Sequence, residues 1–186
     1  ESSDLTPHVP TTFQAELREY QQEGYAWMSR LAHWGAGACL ADDMGLGKTV
    51  QALALLLDRA AGGPALVVAP TSVAFNWLKE ATRFAPTLNV QLFGESDRDA
   101  LFQELGPRDV VICSYGLLHI EAERFQSQAW HTVILDEAQA IKNMATRRSK
   151  AAMGLSAGFR LIMTGTPLAE KRGELWNLFQ FINPGL

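Results

Sequence analysis

Excess positive charge is the first thing this chain lacks: 16 lysines and arginines stand against 20 aspartates and glutamates, a formal net charge of −4. A protein without a global basic field is not drawn indiscriminately to nucleic acid, so any such contact must be local. Cysteine is scarce as well, with only Cys39 and Cys113, both inside apolar runs where a thiol serves as a small hydrophobe. No disulfide framework is suggested. The four histidines are scattered without metal-ligand spacing, and no zinc site is expected. No apolar run approaches the roughly 20 residues that cross a bilayer, and the amino terminus lacks a basic-then-apolar signal segment. The expectation is a soluble, intracellular protein with no membrane contact. Internal repeats and low-complexity tracts are also missing.

What is present is a chain of 186 residues, 47% hydrophobic, enough for one well-filled core and too short for two large domains. Residues 1–12 are polar with two prolines and read as a flexible tail or linker, leaving 13–186 as the domain. From Phe13 to Trp34 the positions Leu17, Tyr20, Tyr25, Met28 and Leu31 fall near helical spacing, interrupted by Gly24. Apolar strand candidates follow at Gly37–Ala41, Ala65–Ala69, Val90–Phe93, Val110–Ser114, Thr132–Leu135 and Arg160–Thr164. Helical stretches fall between and after them, at Val50–Ala60, Val73–Phe84, Asp97–Leu105, Ala145–Leu155 and Glu170–Phe181. Strand and helix alternate, which predicts an α/β domain with a mostly parallel central sheet covered on both faces.

The most informative motif lies between the first strand and its helix: Asp42, Asp43, Met44, Gly45, Leu46, Gly47, Lys48 and Thr49. Glycines there let the backbone curl so that several N–H groups aim at one anion at the start of a helix. Lys48 is the point charge for terminal phosphates, and Thr49 has the hydroxyl such loops give to a magnesium ion. The general pattern asks for glycine where Asp42 stands. Farther on, the buried-strand run His131–Leu135 ends in Asp136 and Glu137, then Ala138 and Gln139. Two carboxylates at the carboxyl end of a strand suit a metal-bound triphosphate: Asp136 for the ion, Glu137 for the attacking water. The pair of motifs implies a nucleoside triphosphate and Mg2+, with Lys48, Asp136 and Glu137 as the catalytic residues.

Further segments, in order, extend the pattern. Leu17-Arg18-Glu19-Tyr20-Gln21 precedes the loop; Ala69-Pro70-Thr71-Ser72 with Asn76-Trp77, then Cys113-Ser114-Tyr115, follow it; Thr164-Gly165-Thr166-Pro167-Leu168 closes the series. With these, the chain from about Phe13 onward resembles the amino-terminal ATPase lobe of the Swi/Snf-type DNA translocases, a branch of helicase superfamily two. The family's form of the loop also has an acid at the position of Asp42. The resemblance implies a three-layer RecA-like P-loop domain in which Gln21 recognises adenine and Asp43 to Thr49 cradle the phosphates. It implies phosphate contacts to DNA from Thr71, Ser72, Ser114 and Tyr115, and coupling of hydrolysis to lobe movement by Gln139, Thr164, Gly165 and Thr166. Two departures are visible: Glu170 stands where the family often has asparagine, and Gln139 replaces the commoner histidine.

The implied partners are the backbone of double-stranded DNA, a second RecA-like lobe of the same protein and a DNA-bound protein target. The stop at Asn183-Pro184-Gly185-Leu186 reads as a cut end. Without the second lobe's arginines, the expectation for this segment alone is weak ATPase activity or none. Spelling of the acid box points to a bacterial source, with a nucleoid location there or a nuclear one in a eukaryote. Two rival readings remain: a strand-separating DNA or RNA helicase lobe, and a nucleotide-binding interaction module that never hydrolyses. The second would lack Lys48, Asp136 or Glu137, and all three are present.

Overall fold

Six strands, β1 (Ala38–Ala41), β2 (Ala65–Ala69), β3 (Asn89–Leu92), β4 (Asp109–Ser114), β5 (Ala129–Leu135) and β6 (Ser156–Thr164), form one sheet in the order β1-β6-β5-β2-β4-β3. Each recorded pairing is parallel. The structure is a computed structural model that describes residues 7–33, 37–41, 47–95, 97–138 and 147–164. Among the described residues seven α-helices accompany the strands: α1 (Glu19–His33), α2 (Lys48–Arg59), α3 (Thr71–Phe84), α4 (Arg98–Gln103), α5 (Tyr115–Ile120), α6 (Ala122–Ser127) and α7 (Arg147–Met153).

Side chains alternate across a strand, so one apolar run feeds two cores. Along β2, Ala65, Val67 and Ala69 face the core shared with α1, α2 and α3, whereas Leu66 and Val68 face the core under α4 to α7. Val110 and Ile112 against Val111 and Cys113 repeat this on β4, and Phe159 and Leu161 against Ile162 do so on β6. Because both faces are covered, the strands read as continuous apolar runs and not as alternating ones. The result is the three-layer arrangement expected. Under α4 and α6, Phe93, Phe102, Phe125 and Trp130 pack mainly edge to face, with centroids 4.8–6.1 Å apart.

Gly24, the interruption in the first helical pattern, lies inside α1. A Cβ there would collide with the amide oxygen of Gln51 on α2, so glycine lets the two helices approach. The stretch from Pro7, expected to belong to a flexible tail, is instead pinned to the domain. Tyr25 donates its hydroxyl to the His8 carbonyl at 2.9 Å, and Val9 packs against the first core. Two short helices, α5 and α6, were not anticipated between β4 and β5. The helix expected at residues 170–181 lies outside the described residues.

Candidate nucleotide site

Parallel strands put all their carboxyl ends on one edge, and ligands of such sheets bind there. Register fixes which ends are neighbours: Ala41 pairs with Thr164, Leu135 with Ile162, Val68 with Leu135 and Ala69 with Ser114. Lys48 and Thr49 after β1, Thr71 and Ser72 after β2, Ser114 and Tyr115 after β4, Asp136 and Glu137 after β5, and Thr164 ending β6 therefore share that edge. The expected loop residues Asp43, Met44, Gly45 and Leu46, and the expected coupling residues Gln139, Gly165 and Thr166, lie outside the described residues.

Gly47 ends the loop with φ 84, in the left-handed region, and its carbonyl accepts from Gln51 N–H at 3.1 Å as α2 begins. A Cβ at Gly47 would strike the side-chain nitrogen of Gln21, so the start of α1 leans directly on the end of the loop. Gln21 is buried, and its Oε1 accepts the Arg18 backbone N–H at 2.9 Å, half of a capping box. That bond occupies one acceptor lone pair and leaves the amide N–H groups directed at Gly47.

Lys48 is 5% exposed, yet among the described residues its Nζ has no hydrogen-bond partner and sits 3.7 Å from Glu137 Oε1. A buried ammonium without hydrogen bonds is costly unless a further anion completes it, which fits the phosphates this loop would hold. Glu137 itself has φ 48, a left-handed backbone that costs a non-glycine residue on the order of 1–3 kcal/mol. Its N–H donates to Asp136 Oδ1 at 2.8 Å.

Asp136 is buried and fastened from two sides. The Trp77 indole donates Nε1–H to Asp136 Oδ2 at 2.8 Å, and the Tyr115 hydroxyl donates to the Asp136 carbonyl oxygen at 2.8 Å. Burial pushes the Asp136 carboxyl above its usual range, opposed by the donors Trp77 and Glu137 N–H and by the charge of Lys48. Burial, with the negative charges of Asp136 and Glu137, lifts the Tyr115 hydroxyl well above its ordinary value and keeps it a donor. Tyr115 thus corrects an expectation: its ring is 4% exposed and its hydroxyl is spent inside the protein, so it is not placed to touch DNA. Ser114 caps α5, its Oγ accepting from Leu117 N–H at 3.2 Å while keeping its own hydrogen to donate. Thr71 and Ser72 are exposed at the head of α3, which no side chain caps. Thr164 is fully buried.

Sequence reasoning missed what Trp77 and Glu80 do on α3. Glu80 lies close enough to feel the Asp136 charge; burial first, and then that charge, raises its carboxyl above the usual range, against Asn76 and Arg83. The signal for Trp77 was available, since a buried indole N–H seeks an acceptor.

A sequence profile of the SNF2-related domain matches residues 20–186. The chain belongs to the SNF2-related domain family. Among relatives of this SNF2-related chain, YwqA of Bacillus subtilis, a candidate ATP-dependent helicase/translocase, is 43% identical over 99% of the chain and 21% of its own length. The chromatin-remodeling ATPase INO80 of Schizosaccharomyces pombe is 39% identical over 95% of the chain and 12% of its own length. The chain therefore spans about a fifth or less of these relatives. Among solved structures, the Sulfolobus solfataricus SWI2/SNF2 ATPase core in complex with double-stranded DNA superposes with a TM-score of 0.86 at 38% identity, covering 96% of this chain and 38% of that one. The core domain from the same organism gives 0.82 at 36% identity, over 97% and 37%. The fold is thus the RecA-like lobe of a SNF2-related ATPase, and membership implies ATP and Mg2+ dependence. Among the described residues no helix is long and apolar enough to cross a membrane.

Proposed function

We propose that this SNF2-related lobe binds ATP for a motor that moves along double-stranded DNA without separating its strands. The observation that carries the reading is Lys48: a buried ammonium with no hydrogen bond among the described residues, 3.7 Å from a carboxylate on a left-handed backbone. A triphosphate would satisfy the charge of Lys48. Thr49 and Asp136 would hold Mg2+, which supplies charge neutralisation at the phosphates when bound. Glu137 would accept the proton of the attacking water, as its 3.7 Å distance from Lys48 keeps its carboxylate beside the phosphate-binding charge.

Asp43 to Gly47 would complete the phosphate cradle and Gln21 would meet the adenine edge with its N–H groups. Thr71, Ser72 and Ser114 would donate to backbone phosphates, contacts that carry no base identity. Gln139, Thr164, Gly165 and Thr166 would couple hydrolysis to the movement of a second lobe, and a DNA-bound protein would be the load. Support for DNA comes from the solved core, 38% identical, which was captured with double-stranded DNA.

The deciding variant is Glu137→Gln in the full-length protein. ATP should remain bound while phosphate release falls by about 10²–10⁴-fold, the usual contribution of a positioned base. Unchanged turnover would remove Glu137 from that role. Displacement of a triplex strand by the wild type, without opening of a tailed duplex, separates translocation from strand-separating helicase activity.

A further inference from the structure

Two helices that begin at the DNA-facing edge are tied through buried hydrogen bonds to one residue of the acidic pair. α3 opens with exposed Thr71 and Ser72 and, farther along, buries Trp77, whose Nε1–H reaches Asp136 Oδ2 at 2.8 Å. α5 opens behind Ser114 with buried Tyr115, whose hydroxyl reaches the Asp136 carbonyl oxygen at 2.8 Å. That carbonyl belongs to the peptide joining Asp136 to Glu137. The N–H of the same peptide is held by Asp136 Oδ1 at 2.8 Å. One peptide plane is thus gripped at its oxygen by α5, and at its nitrogen by a carboxylate that α3 grips in turn.

The residue after this plane is Glu137, at φ 48. A non-glycine side chain keeps that conformation only while its surroundings over-determine it. Loss of either grip would free that plane to turn the Glu137 carboxylate away. We propose that Trp77 and Tyr115 are positioning residues that hold the Asp136–Glu137 peptide in its active setting when DNA loads the leading ends of α3 and α5. The proposal rests on the DNA-motor reading above. Close-packed helices pass a small displacement at one end to a side chain farther along, because the core between them does not deform continuously. At Tyr115 phenylalanine keeps the same ring and removes only the donor, whereas at fully buried Trp77 it also leaves part of the indole's space unfilled.

In the full-length protein, Trp77→Phe and Tyr115→Phe keep an aromatic ring and lose the donor. ATPase rate is measured against DNA concentration and compared with each variant's own DNA-free rate. Both variants should lower the DNA-stimulated plateau, relative to basal, by about fivefold or more, the lower end of ordinary allosteric couplings. Half-saturating DNA should stay within about twofold of wild type, because the plateau and not the ground-state contact is affected. Thr71→Ala with Ser72→Ala, which removes the contacts themselves, should instead raise half-saturating DNA. A purely structural role would lower basal and stimulated rates together, so a wild-type ratio in either variant overturns the proposal. Tyr115→Phe removes a single oxygen atom and decides alone if Trp77→Phe fails to fold. Absence of DNA stimulation in the wild type would instead overturn the DNA-motor reading itself.

Discussion

Single side chains in this lobe carry more than one duty, and the pairing of duties sets what substitution does. Gln21 caps α1 through its oxygen and covers Gly47 with its nitrogen, so its removal loosens a helix end and the loop together. His131, away from the nucleotide edge at the other side of β5, gives a cleaner test. Among the described residues its Nδ1 is buried without a partner, and burial, then the Arg59 charge, holds its pKa below 6.5. The unfolded chain therefore takes up a proton before the folded one does. Stability from this group is present above pH 6.5 and is lost as pH falls through the lower folded value. Urea midpoints should decline from pH 7.5 toward pH 5, and His131→Gln should flatten that part of the curve; an equally steep variant would assign the decline to other groups.

At the scale of elements, the join between α1 and α2 is governed by Gly24. Helix propensity alone favours alanine there by about 1 kcal/mol. Overpacking against the buried Gln51 amide costs about 1–3 kcal/mol. The balance predicts a net loss on the order of 1 kcal/mol for Gly24→Ala, a fall of about 2–4 °C in thermal midpoint for a domain of this size. A rise would show that Gln51 moves aside freely. Here the sequence could announce the glycine but not its neighbour, since nothing local relates position 24 to position 51. The same limit explains α5 and α6. Their runs of six residues are too short to display a helical period, and α5 is fixed by the Ser114 cap and the anchoring of Tyr115. By contrast β2 matched its expected bounds, Ala65–Ala69, because burial on both faces makes it apolar throughout. That Lys48, Asp136 and Glu137 would meet at one edge was legible from motif order; that Trp77 would need an acceptor was too, but not that Asp136, 59 positions away, supplies it.

At the scale of the whole molecule, the described strands of the SNF2-related chain gather the candidate nucleotide residues at one edge of a sheet. The proposed motor would draw on an arginine finger from a second lobe, a contribution of about three to five orders of magnitude in rate. We therefore expect the 186-residue segment alone to hydrolyse ATP feebly and to show little response to DNA. Steady-state phosphate release at rates comparable to the full-length protein would sink that expectation. The low net charge points the same way: binding to DNA by this lobe should depend on few phosphate contacts, giving a shallow dependence of affinity on salt.

The order β1-β6-β5-β2-β4-β3 also has a bearing on how the molecule comes into being. During synthesis β2, β4 and β3 emerge close together and can pair at once, whereas β1 waits for β6, with Ala38 matched to Leu161. At ribosomal speeds of about 5–20 residues per second, that wait lasts roughly ten seconds. Lys48 thus follows the last strand to find its place, and a nascent chain is expected to capture a nucleotide only once β1 has paired with β6.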